Sequence, residues 1–431
     1  MNTSVDLAFM SASEIRQIQE KKFLETFRYA LAKSPFYKSL YGAHGITEAK
    51  INSLHDLMKL PVVTKTDMQQ ANWDFLCVPR DMIAEYTATS GTLGSPVTIA
   101  LTEKDLERLA YNEYMSFLCA EGSPKDIYQL LLTLDRQFMA GIAYYSGLRK
   151  LGAGIIRLGP GSPAAQWENI NRLMPTALVG VPSMLLKLID FARSQGLDLN
   201  TTTVKKAICI GENIRNQDFS LNVLGRKIQS VWDIKLFATY ASTEMQTAFT
   251  ECSEGAGGHL QADLIIVELL DDDGIPVPQG SAGEVTITTL GVEGMPLLRY
   301  KTGDICIAHS NRCSCGRNTL RLSPVLGRKQ QMIKLNGTTM YPPALFDVLN
   351  GMEEIRDYVV EVFTNDMGTD EVVLYIQPVR QDQELVQKLR LDLQSRLRII
   401  PQLQCVNADE MRVLQFPEGS RKALKFKDLR K

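Results

Sequence analysis

No apolar run in the 431-residue chain approaches the roughly 18 residues that a membrane span needs. The stretch from Met1 to Ala12 lacks the basic region and apolar core of a secretory signal, so a cytoplasmic protein is expected. An excess of positive charge is missing too. The formal net charge is −2 and the lysines and arginines are dispersed, which leaves no electrostatic case for nucleic acid or an anionic membrane surface. There is no internal repeat, no low-complexity segment and no regular disulfide framework. Cys77, Cys119, Cys209, Cys306 and Cys405 lie singly in mostly apolar surroundings and read as small core residues. What is present is ordinary for a globular protein, with 45% hydrophobic and 22% charged residues, and the length suffices for two or more domains.

The periodicity predicts an α/β architecture. Residues 11–33 read as an amphipathic helix, with Ser11 and Glu14 as a capping box and Phe23, Phe27, Ala30 and Leu31 at helical spacing. Ser34-Pro35 ends it, because a residue before proline avoids the helical region. Thr176 to Val179 reads as an apolar strand. A helix follows from Pro182-Ser183, with Leu185, Leu188, Ile189 and Ala192 on one face, stopping at Gly196. Val204 to Ile210 is then a second buried strand, and strand–helix–strand at this spacing predicts a parallel sheet. Ligands of such sheets sit beyond the carboxyl ends of the strands, where Gly211-Glu212 and Tyr240 to Glu244 would lie. From Leu264 the pattern changes to antiparallel strands, Leu264 to Leu270 and Gly283 to Leu290, around the turn Asp271 to Gly274. Residues 328–431 form a separate smaller α/β unit, with helices near Pro343–Leu349 and Gln383–Arg398 and a strand near Glu371–Ile376.

Residues 86–96, Tyr-Thr-Ala-Thr-Ser-Gly-Thr-Leu-Gly-Ser-Pro, carry the most chemistry. Glycine lets backbone approach a ligand closely, and hydroxyl side chains with successive N–H groups form an anion-binding nest. Thr89, Ser90, Gly91, Thr92 and Gly94 are the candidates to wrap a polyphosphate, although the terminal Gly-Lys-Ser/Thr of a Walker A loop is absent. A plain surface turn is the other reading of these letters.

This loop resembles the phosphate loop of adenylate-forming enzymes, the superfamily of acyl- and aryl-CoA ligases and peptide-synthetase adenylation domains. Tyr240-Ala241-Ser242-Thr243-Glu244, Tyr300-Lys301-Thr302-Gly303-Asp304 and Gly327-Arg328 with Lys334 and Gly337 resemble three further motifs of that superfamily. Within it, the phenylacetate–CoA ligase family fits best. The residues that carry this likeness are Ser34-Pro35-Phe36-Tyr37, Leu60-Pro61 with Thr64-Lys65 and Asp67, Met295 to Tyr300, and Arg421-Lys422-Ala423 with Asp428 and Arg430.

The resemblance implies a large N-terminal AMP-binding domain, residues 1–327, with layered α/β sheets and an antiparallel barrel-like part. A small mobile C-terminal α/β lid, residues 328–431, would complete it. It implies a two-step reaction, in which a carboxylate attacks the α-phosphorus of ATP and a thiol, coenzyme A, then displaces AMP. Glu244 would hold Mg²⁺, Tyr240 would pack on adenine opposite Glu212 and Asn213, and Asp304 would accept the ribose hydroxyls. Arg328, and less strongly Arg317, would contact phosphate or ribose. Lys422 would be the catalytic lysine, with Lys425 as a competitor. The chain departs from the family at Leu93 and Ser95, where a hydroxyl and a lysine are usual, and at Gln330 and Gln331, where aspartates are common.

The acid is expected between the sheets. Phe138, Met139, Ala140, Gly141, Ala143 and Tyr144 form one wall, and Gly211, Ile210 and Ala238 form the other. Small residues there leave room for a flat ring, so an aromatic, phenylacetate-like acid comes first and a medium-chain acid second. Met139 and Tyr144 are equally readable as core. Two other outcomes stay open, an enzyme loading an acyl carrier protein and a catalytically decayed nucleotide-binding protein. A homodimer is also left open.

Cys313-Ser-Cys315-Gly316 is a tight C-x-C turn, and Cys252 and His259 lie on an earlier loop. Three thiolates and an imidazole suit tetrahedral Zn²⁺, and four protein ligands close the site, so a structural ion is expected. A disulfide and unliganded thiols are the alternatives. His309 is a weaker substitute for His259.

Overall fold

The computed structural model describes residues 7–89, 97–335, 338–364, 370–380, 383–397, 399, 401–417 and 423–430. They fall into two compact units, Met1–Val325 and Leu326–Lys431.

The first unit opens with α1 (Ala12–Lys33), capped as the sequence predicts: Ser11 Oγ accepts from the Glu14 N–H and the Ser11 N–H donates to Glu14 Oε2. Phe23, Phe27 and Ala30 are wholly buried. Ser34 serves both neighbours. Its N–H donates to Ala30 O at the end of α1, and its Oγ accepts from the Tyr37 N–H at the start of α2 (Pro35–Ala43). Pro35 sits in the first turn, where a missing N–H costs nothing.

A two-stranded antiparallel hairpin follows, β1 (Ile83–Ala88) with β2 (Thr98–Thr102), and then α3 (Glu103–Cys119). The next segments alternate strand and helix: β3 (Ile127–Leu130), α4 (Met139–Leu151), β4 (Gly154–Arg157), α5 (Pro163–Leu173), β5 (Ala177–Gly180), α6 (Pro182–Ser194), β6 (Lys206–Ile210), α7 (Val223–Gln229) and β7 (Lys235–Ser242). They pair in parallel in the order β4-β3-β5-β6-β7. β5 and β6 are buried along their whole length because both sheet faces are covered. Along β6, Ala207 and Cys209 pack into one core while Ile208 and Ile210 pack into another, as the alternation of a strand requires.

Beyond β7 the same sheet turns antiparallel through β8 (Thr247–Thr250), β9 (Gly258–His259), β13 (Arg321–Leu322), β12 (Tyr300–His309), β11 (Ala282–Thr289) and β10 (Ile265–Leu270). The segments with family likeness near residues 34–67 and 295–300 turn out to seat β12. Tyr37 Oη accepts from the Leu298 N–H, and Leu60 O accepts from Arg299 Nη1. Val63 trades backbone hydrogen bonds with Arg299 and Lys301. Thr64 and Asp67 form the capping box of a short helix, Lys65–Gln70. Arg299 itself is buried at φ +51° and grips the Glu268 carboxylate with two N–H groups, each at 3.0 Å.

In the second unit β14 (Ile333–Leu335) and β15 (Thr338–Met340) form a hairpin and α8 (Pro342–Asn350) follows. A four-stranded sheet is built from β16 (Ile355–Thr364), β17 (Asp370–Pro378), β18 (Gln402–Cys405) and β19 (Phe426–Asp428), in the order β18-β17-β16-β19. α9 (Gln383–Leu397) and α10 (Ala408–Gln415) complete it. Cys405 corrects the sequence reading: it ends the edge strand β18 and is exposed rather than buried.

Candidate functional site

The expected phosphate loop joins β1 to β2, and its neck is tied. The Thr89 N–H donates to Val97 O at 2.9 Å, and the Val97 N–H returns to Thr89 Oγ1 at 3.0 Å. Thr89 is buried, so its hydroxyl closes the hairpin. Ser90, Gly91, Thr92, Leu93, Gly94 and Ser95 lie outside the described residues.

The carboxyl ends of β6 and β7 meet the start of β12. Tyr240 Oη, at the end of β7, donates to Asp304 Oδ2 at 2.7 Å, and the Tyr240 ring stacks on Phe249. Tyr300 Oη lies 3.5 Å from Glu244 Oε1. No lysine or arginine among the described residues forms an ion pair with Glu244, and its carboxylate is half-buried. A carboxylate held by a hydroxyl with no cation beside it suits a divalent ion. Ala241 is exposed, and Ser242 Oγ accepts from the Met245 N–H to close the turn through Thr243 and Glu244. Gly211 turns the chain out of β6 at φ +71°, a conformation that favours glycine.

Neighbouring side chains are already engaged. Glu212 accepts from the Ser183 N–H and Oγ, both at 2.8 Å, at the N-terminus of α6, where a carboxylate complements the helix dipole. Asn213 Nδ2 donates to Val325 O and Asn213 O accepts from Asn222 Nδ2. Both side chains thus have protein partners. Arg317 is not at this edge at all. Its Nη1 lies 3.4 Å from Cys315 Sγ and its guanidinium stacks over Phe9. The short turn that binds Cys313 N–H to Arg317 O carries it there. Arg328 is exposed in the second unit, Gln330 O accepts from Arg430 Nη2, and Lys425 sits over the Tyr358 ring. Lys422 and Gly337 lie outside the described residues.

The expected acid pocket is divided by the helix that supplies it. On α4, Met139 and Ala143 pack into the N-terminal core, whereas Phe138, Ala140 and Tyr144 pack with Ile210. A step of four keeps a helix face, so 139/143 and 140/144 are separate rows. Gly141 sits against the Thr133 carbonyl, where a Cβ would come to 2.3 Å. Ala238 is a second correction. It pairs with Cys209 and packs into the core on the far face of the sheet from Ile210, because neighbours in a strand alternate. The wall facing Tyr144 is Ile210 with Thr239, which bonds the Tyr144 hydroxyl.

Three buried ionisable side chains carry no sequence signal. Arg108 on α3 donates to the carbonyls of Gln246, Leu264 and Leu290, and so pins the turn that presents Glu244. Burial lowers its guanidinium to about 10. Glu113 sits one turn further along α3, held by Asn112 Nδ2, and its other oxygen has no partner among the described residues. Burial pushes its carboxyl up to about 8, so it is a neutral acid in neutral solution. Glu251 receives Arg215 Nε at 2.9 Å on both oxygens and also the Ala238 N–H at 3.1 Å. A lone charge at apolar spacing looks like a surface residue in one dimension.

The cysteine and histidine segments converge. Cys252 Sγ, Cys313 Sγ, Cys315 Sγ and a His259 ring nitrogen all lie within 4.8 Å of one another. Cys252 and Cys313 are 3.7 Å apart, far beyond a disulfide bond, and Cys315 Sγ is 3.6 Å from His259 Nε2. The other ring nitrogen, Nδ1, faces Thr319 Oγ1 at 3.1 Å. His309 is outside the cluster, packed edge-on against Phe219. Cys119 touches the sulfurs but turns its Sγ to Thr250 O at 3.4 Å. Among the described residues no helix is long and apolar enough to cross a membrane.

With this geometry in place, comparison with known proteins is consistent throughout. The family model for AMP-binding enzymes matches residues 30–294. The phenylacetate–coenzyme A ligase of Thermus thermophilus is 26% identical over 377 residues, covering 86% of this chain and 83% of that one. The Escherichia coli phenylacetate–coenzyme A ligase is 26% identical over 369 residues, covering 84% of this chain and 82% of its own. Among solved structures, a 2-hydroxyisobutyryl-CoA ligase in its postadenylation state superposes with a TM-score of 0.84 at 21% identity, over 98% of this chain and 91% of that one, which bears out the fold.

Proposed function

The chain belongs to the AMP-binding enzyme family, and from its likeness to phenylacetate–coenzyme A ligases we propose that it joins an aromatic, phenylacetate-like acid to coenzyme A at the expense of ATP. One observation carries the assignment of the nucleotide site: Tyr240 meets Asp304, and Tyr300 meets Glu244, across separate motifs at the carboxyl edge of the sheet.

In the first half-reaction an oxygen of the acid attacks the α-phosphorus of ATP and pyrophosphate leaves. In the second, the coenzyme A sulfur attacks the acyl carbon and AMP leaves. Both steps crowd negative charge, so preorganised donors are the natural catalysts. Asp304, oriented by Tyr240, accepts the ribose hydroxyls. Thr89 closes the neck of the phosphate loop. Glu244 would hold Mg²⁺, which would neutralise phosphate charge when bound. Lys422 is assigned the bridge between the acyl carboxylate and the α-phosphate, and Arg328 a contact to the nucleotide. The ring of the acid would lie along Phe138, Ala140, Tyr144 and Ile210. The larger unit is the adenylation domain in this reading and the smaller one its lid.

The test is pyrophosphate release with ATP and Mg²⁺ over aromatic acids, medium-chain acids and 2-hydroxyisobutyrate, with and without coenzyme A. Release driven by aryl acids, rising further with coenzyme A, supports the proposal. Preference for a short or medium-chain acid overturns the aromatic assignment. Acid-driven release that coenzyme A does not raise favours a carrier-protein ligase, and no release with any acid favours a nucleotide-binding remnant.

A further inference from the structure

We propose that Cys252, His259, Cys313 and Cys315 hold one Zn²⁺ ion in a closed site, and that this ion fixes the loop that braces the nucleotide-facing segment 211–215. The first half of the proposal rests on the donor set. Three sulfurs and one imidazole nitrogen within 4.8 Å of one another are the number, type and spacing that a tetrahedral soft-ligand site requires. The donors come from distant stretches, the Cys252 turn, strand β9 and the 313–315 turn, so no local structural need explains their meeting. The surroundings match as well. Thr319 Oγ1 faces His259 Nδ1, which leaves Nε2 for the ion. The Arg317 guanidinium beside Cys315 offsets the surplus negative charge of three thiolates on a dication. With four protein donors no position is open to substrate, so the ion is structural.

The second half rests on what the clipped loop touches. Glu251, adjacent to Cys252, is buried and holds Arg215 through both carboxylate oxygens. The turn closed by the Gly255 N–H on Cys252 O lies directly against that guanidinium. A Cβ on Gly255 would come within 2.2 Å of Arg215 Nη2. Arg215 also donates to Phe219 O and ends the segment Gly211 to Arg215. The ion, the 252–259 loop, Glu251 and Arg215 thus form one chain of contacts to the residues beside the nucleotide edge. This second half rests on the ligase reading, and the first does not.

Metal content separates the two. The full-length protein, purified without chelator, is assayed by elemental analysis and by replacement with Co²⁺. The expected result is about one zinc per chain and, with Co²⁺, thiolate charge-transfer and tetrahedral d–d absorption. Cys313→Ser should lower metal affinity by roughly tenfold or more, while Cys405→Ser leaves it unchanged. If Cys313→Ser fails to fold, release of wild-type zinc on titration with a mercurial, with three thiols consumed in step with one metal, replaces it. No metal in the wild-type protein, or iron in its place, overturns the zinc assignment whether or not the protein activates acids. The coupling is tested with Glu251→Gln. It should keep its zinc while the KM for ATP rises several-fold, with kcat and the KM for the acid little changed and Glu251→Asp restoring part of the loss. An unchanged KM for ATP in a zinc-loaded Glu251→Gln protein overturns the bracing role and leaves the metal site standing.

Discussion

At the scale of single residues, two buried carboxyl groups, Asp304 and Glu113, decide the most. Tyr240 Oη donates to Asp304 Oδ2 at 2.7 Å, so the ring that stacks on Phe249 also orients the carboxylate proposed to accept the ribose hydroxyls. Tyr240→Phe removes a hydrogen bond to a charged group, an effect of about 1–2 kcal/mol. The KM for ATP is expected to rise roughly five- to thirtyfold with the thermal midpoint little changed, and steady-state kinetics check it. Glu113 is a different case. Burial pushes its carboxyl up to about 8, whereas in the unfolded chain it titrates near its ordinary value. Between those pH values the folded protein keeps a proton that the unfolded chain has lost. Its contribution to stability is therefore full in acid, declines as pH rises above the unfolded value, and levels off once the folded carboxyl has ionised. Glu113→Gln cannot ionise, so its stability relative to wild type should improve by about 1–3 kcal/mol between about pH 5 and pH 8. Urea unfolding at both pH values measures this, and a difference independent of pH would contradict the burial account.

At the scale of elements, strand β12 is what the family-like segments serve. Tyr37, Leu60 and Val63 bond its entry, and Arg299 ties it to Glu268 on β10. A buried ion pair adds little over a packed apolar pair, but removing one partner strands the other. Arg299→Met should cost about 3–5 kcal/mol, and Glu268→Gln in the same chain should recover part of it, as read by urea denaturation. The same strand shows how far a sequence can be read. Helix α1, strands β5 and β6 and the β10–β11 pair follow from periodicity and capping, which are local properties. The cysteine–histidine cluster was legible because its ligand types are rare and specific. The pocket was only half legible. Ala238 and Ile210 both read as small or apolar residues at strand ends, but strand alternation sends them to opposite faces, and only the Cys209–Ala238 register reveals it. Arg317 followed its tight turn to the thiols, and Arg108 and Glu251 were invisible because the carbonyls and guanidinium that satisfy them come from far along the chain.

At the scale of the whole molecule, the chain divides into two units that each satisfy their own cores, and the assigned chemistry is shared between their sequences. The second unit is stitched internally by Arg430, which bonds Asp428, Asp370 and the carbonyls of Met332 and Gln330. Gln330 thus contributes a carbonyl to the unit's own scaffold, a contact that an aspartate at that position could make equally well. Lys425 is held over Tyr358 within the same unit, which argues for a packing role and leaves Lys422 as the candidate cation for the reaction. The two lysines make opposite forecasts. Lys422→Ala should reduce acid-dependent pyrophosphate release by roughly 10²–10³, the cost of losing one preorganised charge at a developing anion, while zinc content and thermal midpoint stay at wild-type values. Lys425→Ala should lose a cation–π contact of about 0.5–1 kcal/mol and keep its rate. Release at the wild-type level in Lys422→Ala, or its loss in Lys425→Ala without a fall in midpoint, would move the catalytic role from one lysine to the other.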